Sequence, residues 1–302
     1  VARLVCCFVS LAVVAALPGC RFVDHEKLSG KSPLAPLETT PSQVALEVVF
    51  LRLVGPDAEI DETVWQEVDE QSLAAESRRR LASNGFRAGV VGKRLPDELA
   101  RLINNVRLAD GSAATVQADP GQTIATRQWM FLDPGQRGEI VASAVQPECH
   151  VLHVEHGEVL GKTYQNGQAE FGVSVASTDG GRSAVKLVPE VHHGAFRQRY
   201  VRGEGMFQLD TSRQKEIFDR LAIDAPLSPG ETLVISSVAE KRGSLGHRFF
   251  NEKIAEKRAA KMLFIRWAEP GQEALSPFNA LARQEPNPAT EPADGVPAAD
   301  QD

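Results

Sequence analysis

From about Val151 onward, large apolar residues fall at alternate positions in short runs separated by turn residues, and this spacing restricts the second half of the chain to β-structure. Phe171, Val173 and Val175 alternate with small residues, Thr178-Asp179-Gly180-Gly181 supplies a turn, and Ala184 to Val188 reads as the return strand. Successive side chains of a strand point to opposite faces, so the alternation predicts one buried face and one exposed face. Further strands are expected at Glu231 to Val238 and Met262 to Trp267. A single helix is expected to interrupt them at Arg213 to Leu221, turning Ile217, Phe218 and Leu221 inward.

The preceding stretch mixes periods. Val44 to Val54 has only Glu47 and Arg52 charged among large apolar residues, which predicts a strand covered on both faces. Asp61 is placed to cap a helix with Val64, Trp65 and Val68 on one side, and a helical stretch from Leu73 should stop at Asn84-Gly85. Phe86 to Val91 reads as a second strand, and Pro96 suits the first turn of a helix bearing Leu99, Leu102 and Ile103. Later strands are expected at Gln128 to Phe131 and Gly138 to Ala144. The expected fold class is α+β, with a small α+β domain over residues 44–145 and a mainly antiparallel β-domain over residues 146–269.

The two ends differ in kind. Arg3 precedes a fourteen-residue run, Leu4 to Leu17, in which Ser10 is the sole polar side chain. A membrane-spanning helix needs ~20 apolar residues, so the run has the length of a signal-peptide core instead. It ends in Leu17-Pro18-Gly19-Cys20, which resembles the bacterial lipobox, with Pro18 in place of the usual Ala or Ser. The resemblance implies that residues 1–19 are a lipoprotein signal peptide and that Cys20 carries acyl chains, making the lipid bilayer a partner and the bacterial cell envelope the location. Arg21 stands where an Asp would favour retention at the inner membrane, so the outer membrane is expected. An ordinary secretory signal or a buried helix is the alternative. Residues 20–43, with Pro33, Pro36 and Pro41, read as a tether. Residues 270–302 hold six prolines, six acidic residues and one arginine, and are expected to be disordered.

Of four cysteines, Cys6 and Cys7 would leave with the signal and Cys20 would carry lipid, so Cys149 remains without a disulfide partner. The net charge of −7 lies mostly in residues 270–302, which contribute −5. The balanced remainder lacks the basic footprint that a phosphate backbone demands, and nucleic acid is not an expected partner.

Chemistry-bearing residues are few. Cys149-His150-x-x-His153-x-x-His156 combines thiolate and imidazole, the ligands of zinc. In a strand, however, His150 and His156 would share one face and Cys149 and His153 the other, so no metal site is expected, nor any cofactor. His192-His193 could approach His247 with one ring only, because neighbours on a strand point apart. Glu190 stands near Arg197, Arg199 and Arg202, where solvated ion pairs are expected and a carboxylate-binding groove is the sharper alternative. Asp61, Glu62 and Glu67 fit a charged helix surface. The common local signatures of hydrolases, phosphate loops and dinucleotide sites are absent from the sequence, and catalysis is not expected.

Three segments, in order, carry a second resemblance: Phe171 to Val191 with its Pro189-Glu190-Val191 end, Pro229-Gly230-Glu231-Thr232-Leu233-Val234-Ile235, and Leu245-Gly246-His247-Arg248-Phe249 before Leu263-Phe264-Ile265. Over roughly residues 170 to 267 they are similar to the C-terminal β-domain of secretins, the ring-forming outer-membrane channels of bacterial secretion and pilus systems. The chain departs from the family pattern at Ser236-Ser237, where glycines are usual, and at Lys241-Arg242-Gly243, where a Gly-Asp-Ile-Pro element is usual. The resemblance implies an accessory or divergent component of a secretin-type assembly, forming a homo-oligomer or binding an envelope protein through β edges. An extracytoplasmic ligand-binding module is the alternative reading, and a hydrolase the third.

Overall fold

The computed structural model describes residues 43–54, 62–97, 99–100, 106–108, 123–178, 182–202, 207–254, 257–268 and 278. Residues 1–42, which hold the expected signal, Cys20 and nearly all of the tether, together with Asp61, Leu102, Ile103, residues 179–181 of the expected turn and residues 270–302 apart from Phe278, lie outside the described residues. The strand order begins with β1 (Val44–Val54), β2 (Phe86–Val91), β3 (Val106–Leu108), β4 (Thr123–Leu132), β5 (Arg137–Val141), β6 (Gln146–Glu155) and β7 (Glu158–Thr178). It continues with β8 (Arg182–Arg202), β9 (Phe207–Ile217), β10 (Ile223–Leu227), β11 (Thr232–Ser237), β12 (Asn251–Ile254) and β13 (Lys257–Ala268). The short helices α1 (Glu62–Gln66), α2 (Ala75–Ser83) and α3 (Leu245–Phe250) intervene. Mainly antiparallel β-structure results, and no helix among the described residues is long and apolar enough to cross a membrane.

One sheet runs in the order β2-β11-β13-β1-β4-β3, with β12 also on β13, and only the β3–β4 pair is parallel. β1 spans the expected residues and occupies the interior of this sheet because neither of its faces can be left in water. Leu46, Val48 and Phe50 enter a core shared with the second sheet, whereas Val49 and Leu51 enter a second core with Trp65 of α1, Val68, Leu99 and Phe264. Its partner β13 has the same two-sided apolar character and pairs with it from Ala45↔Ala268 to Val54↔Ala259. Strands from both sides of the boundary expected between residues 145 and 146 therefore share one sheet, β1 to β4 from before it and β11 to β13 from after it. Phe278, within the segment expected to be disordered, is buried against Phe264 with ring centroids 5.6 Å apart.

The second sheet contains the expected hairpin. β7 and β8 pair from Gln168↔His192 to Thr178↔Arg182, placing Phe171, Val173, Val175, Val185 and Leu187 on the buried face. β5 and β6 follow one edge of β7 in succession, and β9 and β10 follow the far edge of β8. The helix expected at Arg213 to Leu221 is replaced by the end of β9 and one 3-10 turn, Asp219–Leu221. Pairing with β8 supplies ladder hydrogen bonds that a short isolated helix could not match. Phe218 and Leu221 still turn inward, but Ile217 is 44% exposed.

Helix α2 ends as its sequence predicts, with Gly85 at φ 79°. The Leu245–Phe249 motif forms α3, capped by Ser244, whose hydroxyl accepts from the His247 N–H at 3.2 Å. Phe249 and Phe250 reach the aromatic cluster of Phe86 and Phe171 between the sheets, with Phe171–Phe249 centroids 4.7 Å apart.

Candidate functional site

β7 and β8 are each twenty-one residues long, yet they pair with one another only over Gln168–Thr178 and Arg182–His192. Beyond that stem the strands part. The first half of β7 pairs with β6, from Gln146↔Gly167 to Glu155↔Glu158, and the last half of β8 pairs with β9 out to Arg202↔Phe207. Two hairpin arms thus diverge from a common stem, and among the described residues the edges facing the fork, 158–167 and 193–202, have no strand partner.

An ionic cluster sits at the base of the fork. The period of two puts Glu170 of β7 directly opposite Glu190 of β8, with His192 on the same face, a like-charge pairing that needs compensation. His192 supplies part of it, with Nδ1 3.3 Å from Glu170 and Nε2 3.1 Å from Glu190. Lys215 of β9 lies 3.4 Å from Glu190, and Arg137 of β5 donates to the same carboxylate and to Glu139. Arg137 reaches β8 across β7 because residue 172 is glycine. A Cβ there would stand 2.6 Å from the guanidinium and 2.8 Å from the Glu190 carboxylate. Arg213 closes the fork, donating to Gln168 on β7 at 3.1 Å and to the Gly194 carbonyl on β8 at 3.3 Å.

Glu190 and Glu170 are only 2% and 7% exposed. Burial opposes ionisation of Glu190, but hydrogen bonds from His192 and Arg137, with the charges of Arg137 and Lys215, hold its carboxyl below the usual range. Glu170 is shifted the other way, chiefly by burial, with Glu139 and Glu190 adding to it and His192 and Arg213 opposing. Ligand atoms of Glu139, Glu190 and His192 lie within 4.8 Å of one another, a spacing that could hold a cation. Arg137 and Lys215 already engage the two oxygens of Glu190, so a metal would have to displace two bound cations.

The linkage between Glu190 and folding has a definite sign. A depressed folded-state pKa contributes stability above the unfolded value, 4.5, and that contribution is lost as pH falls through the folded value. Glu170, with its raised pKa, acts oppositely. Glu190→Gln should therefore lose stability less steeply than the parent as pH falls below 4.5 in denaturant titrations, and parallel pH profiles would contradict the ion pairing of Glu190 in this cluster.

The sequence-derived residues fall elsewhere. Glu190 does not pair with Arg197 as expected, because β8 carries Arg197 into the arm while the hairpin register brings Glu190 beneath Arg137; the side chains of Arg199 and Arg202 lie outside the described residues. Cys149 and His153 share the inner face of β6 as expected, and burial pushes the Cys149 thiol up against the opposing charge of Arg248. His150 is exposed, with Nδ1 2.9 Å from Thr163 Oγ1. His156 does not continue the strand: with Gly157 it makes the two-residue turn of the β6–β7 arm, at φ 53° and 86°. The four residues therefore extend along the arm rather than around a point. His192 faces the carboxylates and the His193 ring packs tilted against Tyr164 with centroids 5.1 Å apart, whereas His247 lies on α3 with Arg248, Arg242 and Arg258 as its charged neighbours. Burial, then those arginines, lowers the His247 pKa.

No family model matches the chain, and no curated protein matches it. Among solved structures it is similar to the InvG secretin-domain β-barrel of the Salmonella SPI-1 injectisome, at 8% identity over 75% of this chain and 62% of that one, with a TM-score of 0.23. It is also similar to the type II secretin GspD of enteropathogenic Escherichia coli, at 12% identity over 77% and 70%, TM-score 0.23. A third likeness is to the type IV competence pilus secretin PilQ of V. cholerae, at 13% identity over 74% and 57%, TM-score 0.18. The chain spans less than two thirds of the first of these.

Proposed function

We propose that the protein is a non-catalytic envelope component that assembles through the strand edges of its two hairpin arms, as an accessory or divergent part of a secretin-type assembly. The observation that carries this reading is the fork itself. Ten residues of each long strand present an edge without a strand partner among the described residues, and unpaired edge N–H and C=O groups template pairing with another chain. Exposed apolar side chains accompany those edges: Leu152, Val159 and Leu160 on one arm, Phe196 on the other. The ordered sequence motifs supply the family in this reading. Pro229 to Ile235 lies across the turn at Gly230 and β11, and Leu263 to Ile265 lies in β13, so the resemblance covers the interior of one sheet as well as the hairpin stem.

Acyl chains on Cys20 would hold the assembly at the outer membrane. In cells fed an alkyne fatty acid, the parent should label and Cys20→Ser should not. Assembly is tested by light scattering on residues 21–302, since Phe278 belongs to the core. Oligomers are expected, and replacing Val159 and Leu160 with lysine should shift them toward monomer, because charge on an edge arm opposes pairing. A parent that stays monomeric at every accessible concentration, alone and with envelope extract, would overturn the reading.

A further inference from the structure

A cleft of about 580 Å³ opens where α2, the tip of the β6–β7 arm and the 3-10 turn after β9 converge. This volume is in the range of small-molecule sites. Its walls are held in place independently of any ligand. The Asn84 side chain donates to the Val154 carbonyl at 3.2 Å and accepts from the Val154 N–H at 2.7 Å, fastening the arm to the end of α2. His153 packs edge-on against Phe218 at 5.4 Å, fastening it to the 3-10 turn.

The polar groups on the walls are not all committed. Arg80 pairs with Glu76, Arg220 with His156 and Glu155, and Glu216 with Lys162. Among the described residues that leaves one cation, Arg79 on α2, and one anion, Asp219 on the 3-10 turn, without a side-chain partner. His153 is about nine-tenths buried, and its Nδ1 has no hydrogen-bond partner. A buried polar atom left unpaired is costly, and an incoming group that satisfied it would recover that cost. Ile217, 44% exposed, and Phe218 provide an apolar surface beside these groups.

We propose that this cleft binds a short zwitterionic peptide, its carboxylate on Arg79, its ammonium on Asp219, a backbone amide on His153 Nδ1 and an apolar side chain against Ile217 and Phe218. Walls whose other charges are paired, with one uncommitted group of each sign, suit a ligand that carries one charge of each sign, and disfavour a polyanion or a polycation. The cleft shares no lining residue with the ionic cluster, and the proposal does not depend on assembly through the fork.

The probe is the dipeptide Ala-Phe, titrated into the full chain by calorimetry beside its N-acetylated and C-amidated forms. Saturable binding is expected for the free dipeptide, weakened at least about tenfold by either cap and by Arg79→Met or Asp219→Asn. Both substituted residues are exposed, so the variants should keep the parent's unfolding midpoint. In the histidine NMR spectrum, the His153 ring should shift on addition of the dipeptide and the His150 ring should not. Absence of saturable binding, or binding equal for free and capped forms, or equal affinity in both variants, would overturn the proposal.

Discussion

Gly246→Ala is expected to destabilise the protein by about 3 kcal/mol or more, because a methyl group there has no space and no neighbour that can give way. A Cβ on residue 246 would stand 2.1 Å from the Gly85 carbonyl oxygen, 2.3 Å from its carbon and 2.7 Å from the Phe86 nitrogen. All three are backbone. The approach is held by hydrogen bonds: the Gly246 N–H donates to Asn84 at 2.9 Å, and the Val238 N–H donates to Gly85 at 2.9 Å. Gly85 is excluded from substitution too, since it has a left-handed φ and its own Cβ would strike the Ser244 hydroxyl at 1.9 Å. The end of α2 and the start of α3 therefore meet glycine to glycine. Any shift of α3 carries Phe249 and Phe250 out of the aromatic cluster between the sheets. Denaturant midpoints measure the effect, and a loss below about 0.5 kcal/mol would show that the backbones are not in contact.

Glu47→Ala is expected to cost about 3–5 kcal/mol, the range for removing one partner of a buried ion pair. Glu47 is wholly buried in β1, 2.6 Å from Arg127 on β4 and 3.5 Å from Arg266 on β13. Those arginine side chains are only 16% and 6% exposed, so neither can recover its hydration when the carboxylate is removed. Glu47→Gln keeps the volume but not the charge and should lose most of the same stability. Replacing Glu47, Arg127 and Arg266 together with leucine should restore much of it, because desolvating charges costs about as much as their attraction returns. A Glu47→Ala variant as stable as the parent would mean that the arginines find water, contrary to their burial. Because the pair is buried, its contribution should persist at high salt, unlike that of the exposed Arg80–Glu76 pair.

Local patterns located several elements well. β1 and β2 span the expected residues, and the β7–β8 stem follows the alternation of Phe171, Val173 and Val175 with the turn after Thr178. Those signals are short-range. The misread helix at Arg213 to Leu221 shows their limit: inward residues at 217, 218 and 221 suit a helical face, but Phe218 and Leu221 also turn inward when a strand ends in a single 3-10 turn. Only the partner strand β8 distinguishes the two.

The candidate site was legible in one respect and hidden in another. The hairpin turn sets Glu170 opposite Glu190, and two like charges on one face are a signal that something must lie between them. His192 follows from the same register. Arg137 and Lys215 do not, because they arrive on β5 and β9, whose places at the two edges of the stem are settled by sheet assembly. The nearby arginines 197, 199 and 202 were the more obvious partners in sequence, and the strand carries them outward along the arm.

The alternation of apolar side chains, the glycines at forced turns and the two-sided apolar character of β1 and β13 are local properties, set by backbone sterics and by which side chains tolerate water. They determined the β-rich class and most strand positions. Which strands became neighbours was decided by long-range packing: β1 is joined to β13 across some two hundred residues, so that two strands apolar on both faces lie side by side within the sheet. The fork, the clasp of charges at its base and the cleft beneath the arm are consequences of that assembly, since each is made of groups that approach one another only after the sheets have formed.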